Sequence, residues 1–182
     1  MQLTLIRHLP TDWNKKTWLQ GRRDIALSLL TEDLFLGIEE NKQRLAKLGP
    51  FDIVLASTLK RTHQTAQLHG YKYQTESLLD ELDFGPFEGR PREELLEKHG
   101  ELWINNPKDL VLGESIKNLE ERIVLFLEKY KKSSNILVFG HGSWIRAMIS
   151  YSEYGDVNRM NKIIVENNAC FTLSLNSMFQ EG

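Results

Sequence analysis

Three short apolar runs, each cut off by polar residues, constrain this chain more than anything else in it. They are Leu3 to Ile6, Phe51 to Ala56, and Asn135-Ile-Leu-Val-Phe139. The first is built of β-forming residues, turns abruptly polar at Arg7-His8, and meets Pro10, which forbids a simple continuation of the strand. The second runs into Ser57-Thr58, and the third into Gly140-His141-Gly142. Runs of this length read as strands, and helical patterns lie between them. Strands alternating with helices predict an α/β fold: a three-layer αβα sandwich with a largely parallel central sheet. The 182 residues suffice for one core and are too few for two comfortable ones, so 1–182 is read as a single domain.

The intervening stretches fill in the order of elements. Leu9 to about Leu30 is irregular and long for a connection, which marks it as functional. Thr31 reads as an N-cap, with Leu34, Ile38, Leu45 and Leu48 as a helical stripe stopped by Gly49-Pro50. Ser57 to Leu68 reads as a polar helix closed by Gly70, and Tyr71 to Thr75 as a short strand. Glu81 to Gly89 is a loop, Pro91 opens a short helix ending at Gly100, and Trp103 to Gly113 reads as a further loop. Ser115 caps the clearest helix, whose Ile116, Leu119, Ile123, Phe126, Leu127 and Tyr130 share a face. A helix over about Ser143 to Ser150 and a strand over Ala169 to Leu175 complete the chain.

Net charge narrows the function classes. A formal charge of -2 gives no reason to expect nucleic acid or an anionic membrane as partner. No apolar run reaches the length of a membrane span. The lone Cys170 cannot form an internal disulfide, and no metal-type Cys/His spacing exists, so no metal is expected. The chain enters a strand at once with no signal-peptide pattern, so the expected location is cytoplasmic.

In open α/β sheets, ligands bind beyond the carboxyl ends of the strands. Those ends carry Arg7-His8, then Arg61 one helical turn beyond Ser57-Thr58, then His141 between glycines. Two arginines and two histidines at one crevice suit a phosphoryl group, whose oxygens a guanidinium fork binds in pairs. Glycines beside His141 let backbone N–H groups approach at a helix N-terminus, which favours an anion.

Five blocks in order resemble the histidine phosphatase (phosphoglycerate mutase-like) superfamily, phosphatase branch. They are Leu5-Ile-Arg7-His8 through Asn14, Ser57-Thr-Leu-Lys-Arg61 through Ala66, Glu81 through Gly89, Gly113-Glu114-Ser115 with Arg122, and Val138-Phe-Gly-His141-Gly142. The resemblance implies that His8 is a nucleophile that becomes a phosphohistidine. Arg7, Arg61, His141 and Gly142 would hold the phosphoryl group, and Asn14 would help. Thr11, Gln20 and Gly21 fall in the family's substrate-contacting loop. Glu81 would protonate the leaving oxygen and later activate water. It further implies a small phosphorylated substrate and no metal or organic cofactor. One departure stands out: Leu9-Pro10 follows the histidine where the family has glycine.

The expected function is therefore hydrolysis of a small phosphorylated metabolite. The alternatives are mutase-type phosphoryl transfer and a non-catalytic phospho-ligand binding module. α-Ribazole phosphate, phosphoglycerates, sugar phosphates and nucleotides are all open as substrates, and a homodimer is admitted without being required. His63, His69 and His99 are expected at the surface. Trp103, Trp144 and Tyr151 are expected in core or interface, and Glu114 in a local structural contact.

Overall fold

The structure, a computed structural model, describes residues 1–175; residues 176–182, the end of the span expected to form one domain, lie outside the described part. In chain order the elements are β1 (Gln2–Arg7), α1 (Asp12–Lys15), α2 (Glu32–Leu48), β2 (Ile53–Ala56), α3 (Lys60–Leu68), β3 (Gln74–Thr75), α4 (Arg92–Asn105), α5 (Ile116–Tyr130), β4 (Asn135–Gly140), α6 (Gly142–Tyr154) and β5 (Cys170–Ser174). The sheet order is β3-β2-β4-β1-β5. All neighbours pair in parallel except β5, which runs antiparallel to β1.

Side chains on a strand alternate between faces, and here both faces are apolar. Leu3, Leu5, Ile136 and Val138 join one buried cluster with Ile123 and Phe126 of α5 and Trp144 and Met148 of α6. Ile6, Leu137 and Phe139 join another with Leu45 of α2 and Ala66 of α3. Helices therefore cover both faces, which is the expected three-layer α/β arrangement. The β1–β4 register pairs Gln2 with Asn135 and Arg7 with Gly140. That register delivers residues 8 and 141 side by side at the same end of the sheet.

Three expectations are corrected. α4 does not stop at Gly100 but continues to Asn105, taking Trp103 into the helix. A glycine inside a helix costs only about 1 kcal/mol against alanine. Burying the Trp103 ring against Phe84, 5.9 Å away, stabilises the extra turn by more than that. Ser57 and Thr58 stay outside α3, because the Asp80 carboxylate accepts from both the Thr58 amide and hydroxyl at 2.8 Å. His69 is buried, with Nδ1 donating to the Thr65 carbonyl at 2.8 Å and its ring 5.5 Å from Phe139. His63 and His99 are half-buried against Tyr73 and Phe87. Among the described residues, no helix is long and apolar enough to cross a membrane.

Candidate active site

The end of β1 is held by two main-chain bonds and one side-chain amide. The His8 amide donates to the Gly140 carbonyl at 2.9 Å, Asn168 N donates to the Arg7 carbonyl at 3.0 Å, and Asn167 Nδ2 donates to the His8 carbonyl at 3.0 Å. His8 is 2% exposed. Its Nδ1 lies 2.7 Å from the carbonyl oxygen of Leu9. A carbonyl only accepts, so Nδ1 carries the proton, and in the neutral ring Nε2 keeps its lone pair. Burial, then the charges of Arg61 and Arg7, hold the His8 pKa well below the ordinary histidine value. His8 is a neutral imidazole at pH 7.

Leu9 meets its demands without distortion of this contact. Its side chain is fully buried, and its amide donates to Thr65 Oγ1 at 3.0 Å. The contact that orients His8 belongs to the Leu9 main chain, so a side chain there is compatible with it. Thr65, which the sequence reading did not single out, thus positions the turn after the histidine. It lies one turn of α3 beyond Arg61, whose carbonyl accepts from its hydroxyl at 2.7 Å.

Arg61 is 1% exposed, and its two terminal nitrogens donate to the carbonyls of Arg23 and Gly21 at 2.7 Å. Its Nε is buried with no partner, and so is the Nε of Arg7. One terminal nitrogen of Arg7 donates to the Val165 carbonyl at 2.5 Å. Burial pulls the Arg61 pKa down to about 10, so the guanidinium stays charged at pH 7. Among the described residues no carboxylate lies within 4.0 Å of either arginine. Gly142 packs closely here: a Cβ on it would lie 3.2 Å from Cζ and Nε of Arg7, so the guanidinium would have to give by a few tenths of an ångström. Gly21 is required, with φ +53° and the Glu88 carboxylate packed where a Cβ would stand.

His141 is fully buried, its ring 5.3 Å from that of His8 at 62°. Its Nε2 lies 2.7 Å from Ser57 Oγ, while its Nδ1 is buried with no partner. Burial, then Arg61 and His8, hold its pKa well below the ordinary histidine value. Asn14 lines the cavity, its Oδ1 taken by the Thr11 amide at 3.0 Å. Thr11 is buried behind it as the cap of α1 and donates to Gln20 Oε1 at 2.9 Å. Gln20 and Gly21 reach the cavity wall.

Glu81 sits against the start of α6. One carboxylate oxygen accepts from the Leu82 and Trp144 amides at 2.8 and 3.1 Å, and the other from the Ser143 amide at 3.0 Å. The loop that carries it is anchored by Arg122, which donates to the Leu78 and Asp80 carbonyls at 2.8 Å. Arg122 in turn is gripped by Glu114 at 2.8 and 3.0 Å. That is the local structural contact expected of Glu114.

A family model described as the histidine phosphatase superfamily (branch 1) matches residues 3–177. The chain belongs to that superfamily. This histidine phosphatase relative is 29% identical over 175 residues to a Bacillus subtilis protein named as an uncharacterized phosphatase, PhoE, covering 92% of this chain and 84% of that one. It is 27% identical over 216 residues to the 2,3-bisphosphoglycerate-dependent phosphoglycerate mutase of Buchnera aphidicola, covering 92% and 88%. Among solved structures it matches the phosphoserine phosphatase of Entamoeba histolytica in complex with 3-phosphoglyceric acid. The TM-score there is 0.76, with 26% identity and coverage of 94% and 89%.

In this superfamily member the cavity measures about 330 Å³, the size of a small-molecule site. It is lined by Arg7, His8, Asn14, Arg61 and Glu81, and by Phe84, Arg92 and Trp103 from the segment 84–113. It adds residues that the sequence reading did not select: Trp18, Arg146, Glu166 and Asn167. One signal was available for Arg146. It stands at the fifth position of α6, a turn beyond the glycine that follows His141, on a helix whose start faces the crevice.

Proposed function

We propose that the protein is a phosphomonoesterase that transfers the phosphoryl group of a small substrate through His8 to water, with no metal or organic cofactor. The observation that carries this reading is the imidazole itself. Its Nδ1 is committed to the Leu9 carbonyl at 2.7 Å, leaving Nε2 for a ligand between two guanidiniums that have no carboxylate partner. A binding module needs the cations but has no use for a neutral, oriented nucleophile.

The steps balance with residues at hand. Nε2 of His8 attacks phosphorus as the ester P–O bond breaks, and a protonated Glu81 gives its proton to the leaving oxygen. Arg7 and Arg61 neutralise the charge spread over the transferring oxygens, with Asn14 and His141 completing the cage. Glu81, now a carboxylate, takes a proton from water. The hydroxide formed attacks phosphorus, the P–N bond breaks, and inorganic phosphate leaves.

Three measurements test this. Rapid quenching during turnover of a labelled ester should trap an acid-labile, base-stable phosphoryl group on His8. Glu81→Gln should slow esters with poor leaving groups by a factor at least about tenfold greater than it slows p-nitrophenyl phosphate, whose leaving group needs no proton. Equal losses on both would remove Glu81 from the acid role. Phosphate release from 3-phosphoglycerate without a bisphosphate primer separates hydrolysis from the mutase alternative.

A further inference from the structure

The turn over residues 20–23 touches two parts of the site at once. The Arg23 amide donates to the Gln20 carbonyl at 3.0 Å and closes the turn, which Gly21 bends at φ +53°. The carbonyls of Gly21 and Arg23 accept from the two terminal nitrogens of Arg61 at 2.7 Å. Between them the side chain of Arg22 reaches the acid loop instead, its Nε donating to the Glu81 carbonyl at 2.6 Å. The Arg22 amide donates to Glu88 Oε1 at 2.8 Å and pins the turn in that place. Three consecutive residues therefore hold both a cation of the phosphoryl cage and the residue assigned the proton transfers.

Glu81 depends on this contact for its main chain. Arg122 anchors the carbonyls of Leu78 and Asp80 and stops one residue short of Glu81, whose own carbonyl is taken by Arg22. The terminal nitrogens of Arg22 also lie 3.7 Å from Asp80 Oδ2 and 3.6 Å from Glu114 Oε2, with the side chain 38% exposed. Ion pairs that long and that wet contribute little. The short bond to the carbonyl is the specific contact. Among the described residues, Gln20 and Gly21 line the cavity and Arg22 does not, so Arg22 meets the reaction through Glu81 and not through substrate.

We propose that Arg22 is a positioning residue: by tying the Glu81 main chain to the turn that holds Arg61, it sets the distance between the proton donor and the phosphoryl cage. The inference rests on the phosphomonoesterase reading and on the acid role given there to Glu81. A displacement of about 1 Å in a reacting group can cost on the order of 10²-fold in rate. Loss of Arg22 falls on the departure of the leaving group. Phosphoryl binding is spared, because the carbonyls that hold Arg61 are main chain and survive any change of side chain at position 22.

Two substitutions separate the bond from the charge. Arg22→Gln places an N–H as many bonds from Cα as the arginine Nε, without the charge, whereas Arg22→Lys keeps the charge and has a methylene there. The readout is the ratio of kcat/KM for p-nitrophenyl phosphate to that for phenyl phosphate, whose poorer leaving group leans harder on the proton donor. Arg22→Ala should widen that ratio by about fivefold to tenfold, while the inhibition constant of inorganic phosphate stays within about twofold of wild type. Arg22→Gln should keep the ratio within about twofold of wild type, and Arg22→Lys should behave as Arg22→Ala does. Added to Glu81→Gln, Arg22→Ala should move the ratio by less than about twofold, since the group it positions is gone. A ratio unmoved by Arg22→Ala, or an undiminished effect on the Glu81→Gln background, overturns the inference. Recovery by Lys equal to that by Gln assigns the role to charge facing Asp80 and Glu114, and overturns it too. If the Ala variant does not fold, the contrast between Gln and Lys decides the same question. Failure of the wild type to cleave either ester sinks the phosphomonoesterase reading, and a ratio unmoved by Glu81→Gln alone takes the acid role from Glu81; the positioning role falls with either.

Discussion

Arg122 and Arg61 are both buried guanidiniums, and they keep opposite electrostatic company. Arg122 faces Glu114 through two bonds at 2.8 and 3.0 Å and spends its other donors on two carbonyls. Arg61 also donates to two carbonyls, yet its Nε has no partner and no described carboxylate comes within 4.0 Å. The first region is complete without a ligand, and it fixes the loop that carries Glu81. The second is incomplete, and a bound anion would complete it. Burial is common to both arginines; what separates them is a carboxylate within hydrogen-bond reach.

The comparison can be broken in four places. His8→Ala should lower turnover of p-nitrophenyl phosphate on the order of 10⁴-fold while inorganic phosphate still binds by calorimetry. Substantial residual turnover would take the nucleophile's role from His8. Arg122→Met should cost about 3–5 kcal/mol in urea unfolding, because Glu114 is left buried without its partner. A loss under 1 kcal/mol would show that the pair does not hold the acid loop.

Arg61→Met should change stability by less than about 1.5 kcal/mol, since two lost hydrogen bonds are offset by removal of a buried cation with no described carboxylate within 4.0 Å. Its activity should fall about 10²–10³-fold. Inorganic phosphate should raise the unfolding temperature of the wild type and of Arg122→Met, and do so far less for Arg61→Met. Equal phosphate stabilisation in the two variants would erase the distinction drawn between these arginines.

The smallest effect is in pH. Burial first, and neighbouring charge after it, hold His8, His141 and His69 below the ordinary histidine pKa of 6.5. The unfolded chain then binds more protons below pH 6.5 than the folded chain does. Their contribution to stability is present above 6.5 and is lost as pH falls from there towards the folded values. Urea midpoints measured from pH 7.5 down to 5.5 should decline, and a flat or rising series would contradict neutral buried histidines.

Much of the fold was legible because its signals are local. Leu3 to Ile6 and Ile136 to Phe139 are short apolar runs, and the polar break after each marks where a parallel sheet ends. The capped stripe from Ser115 to Tyr130 carries its own start signal and its own face. What escaped depends on contacts distant in sequence. Gly100 reads as a stop until Trp103 is known to reach Phe84. His69 follows a polar helix, and only the packing of that helix on Phe139 buries it. Arg146 looks like one cation among many, and that it lines the cavity with no described carboxylate within 4.0 Å is a fact about space. Asn167 and Asn168 pin the main chain of Arg7 and His8 from the far end of the chain, with no local pattern to announce it.

The bond from the His8 ring to the oxygen of residue 9 has a practical reach. Since the peptide group makes it, evolution is free to trade the small residue common at that place for a bulky one, provided α3 and its surroundings leave a hollow to receive the substituent. A pattern search that insists on glycine there would pass over chains such as this one while the contact it stands for remains intact.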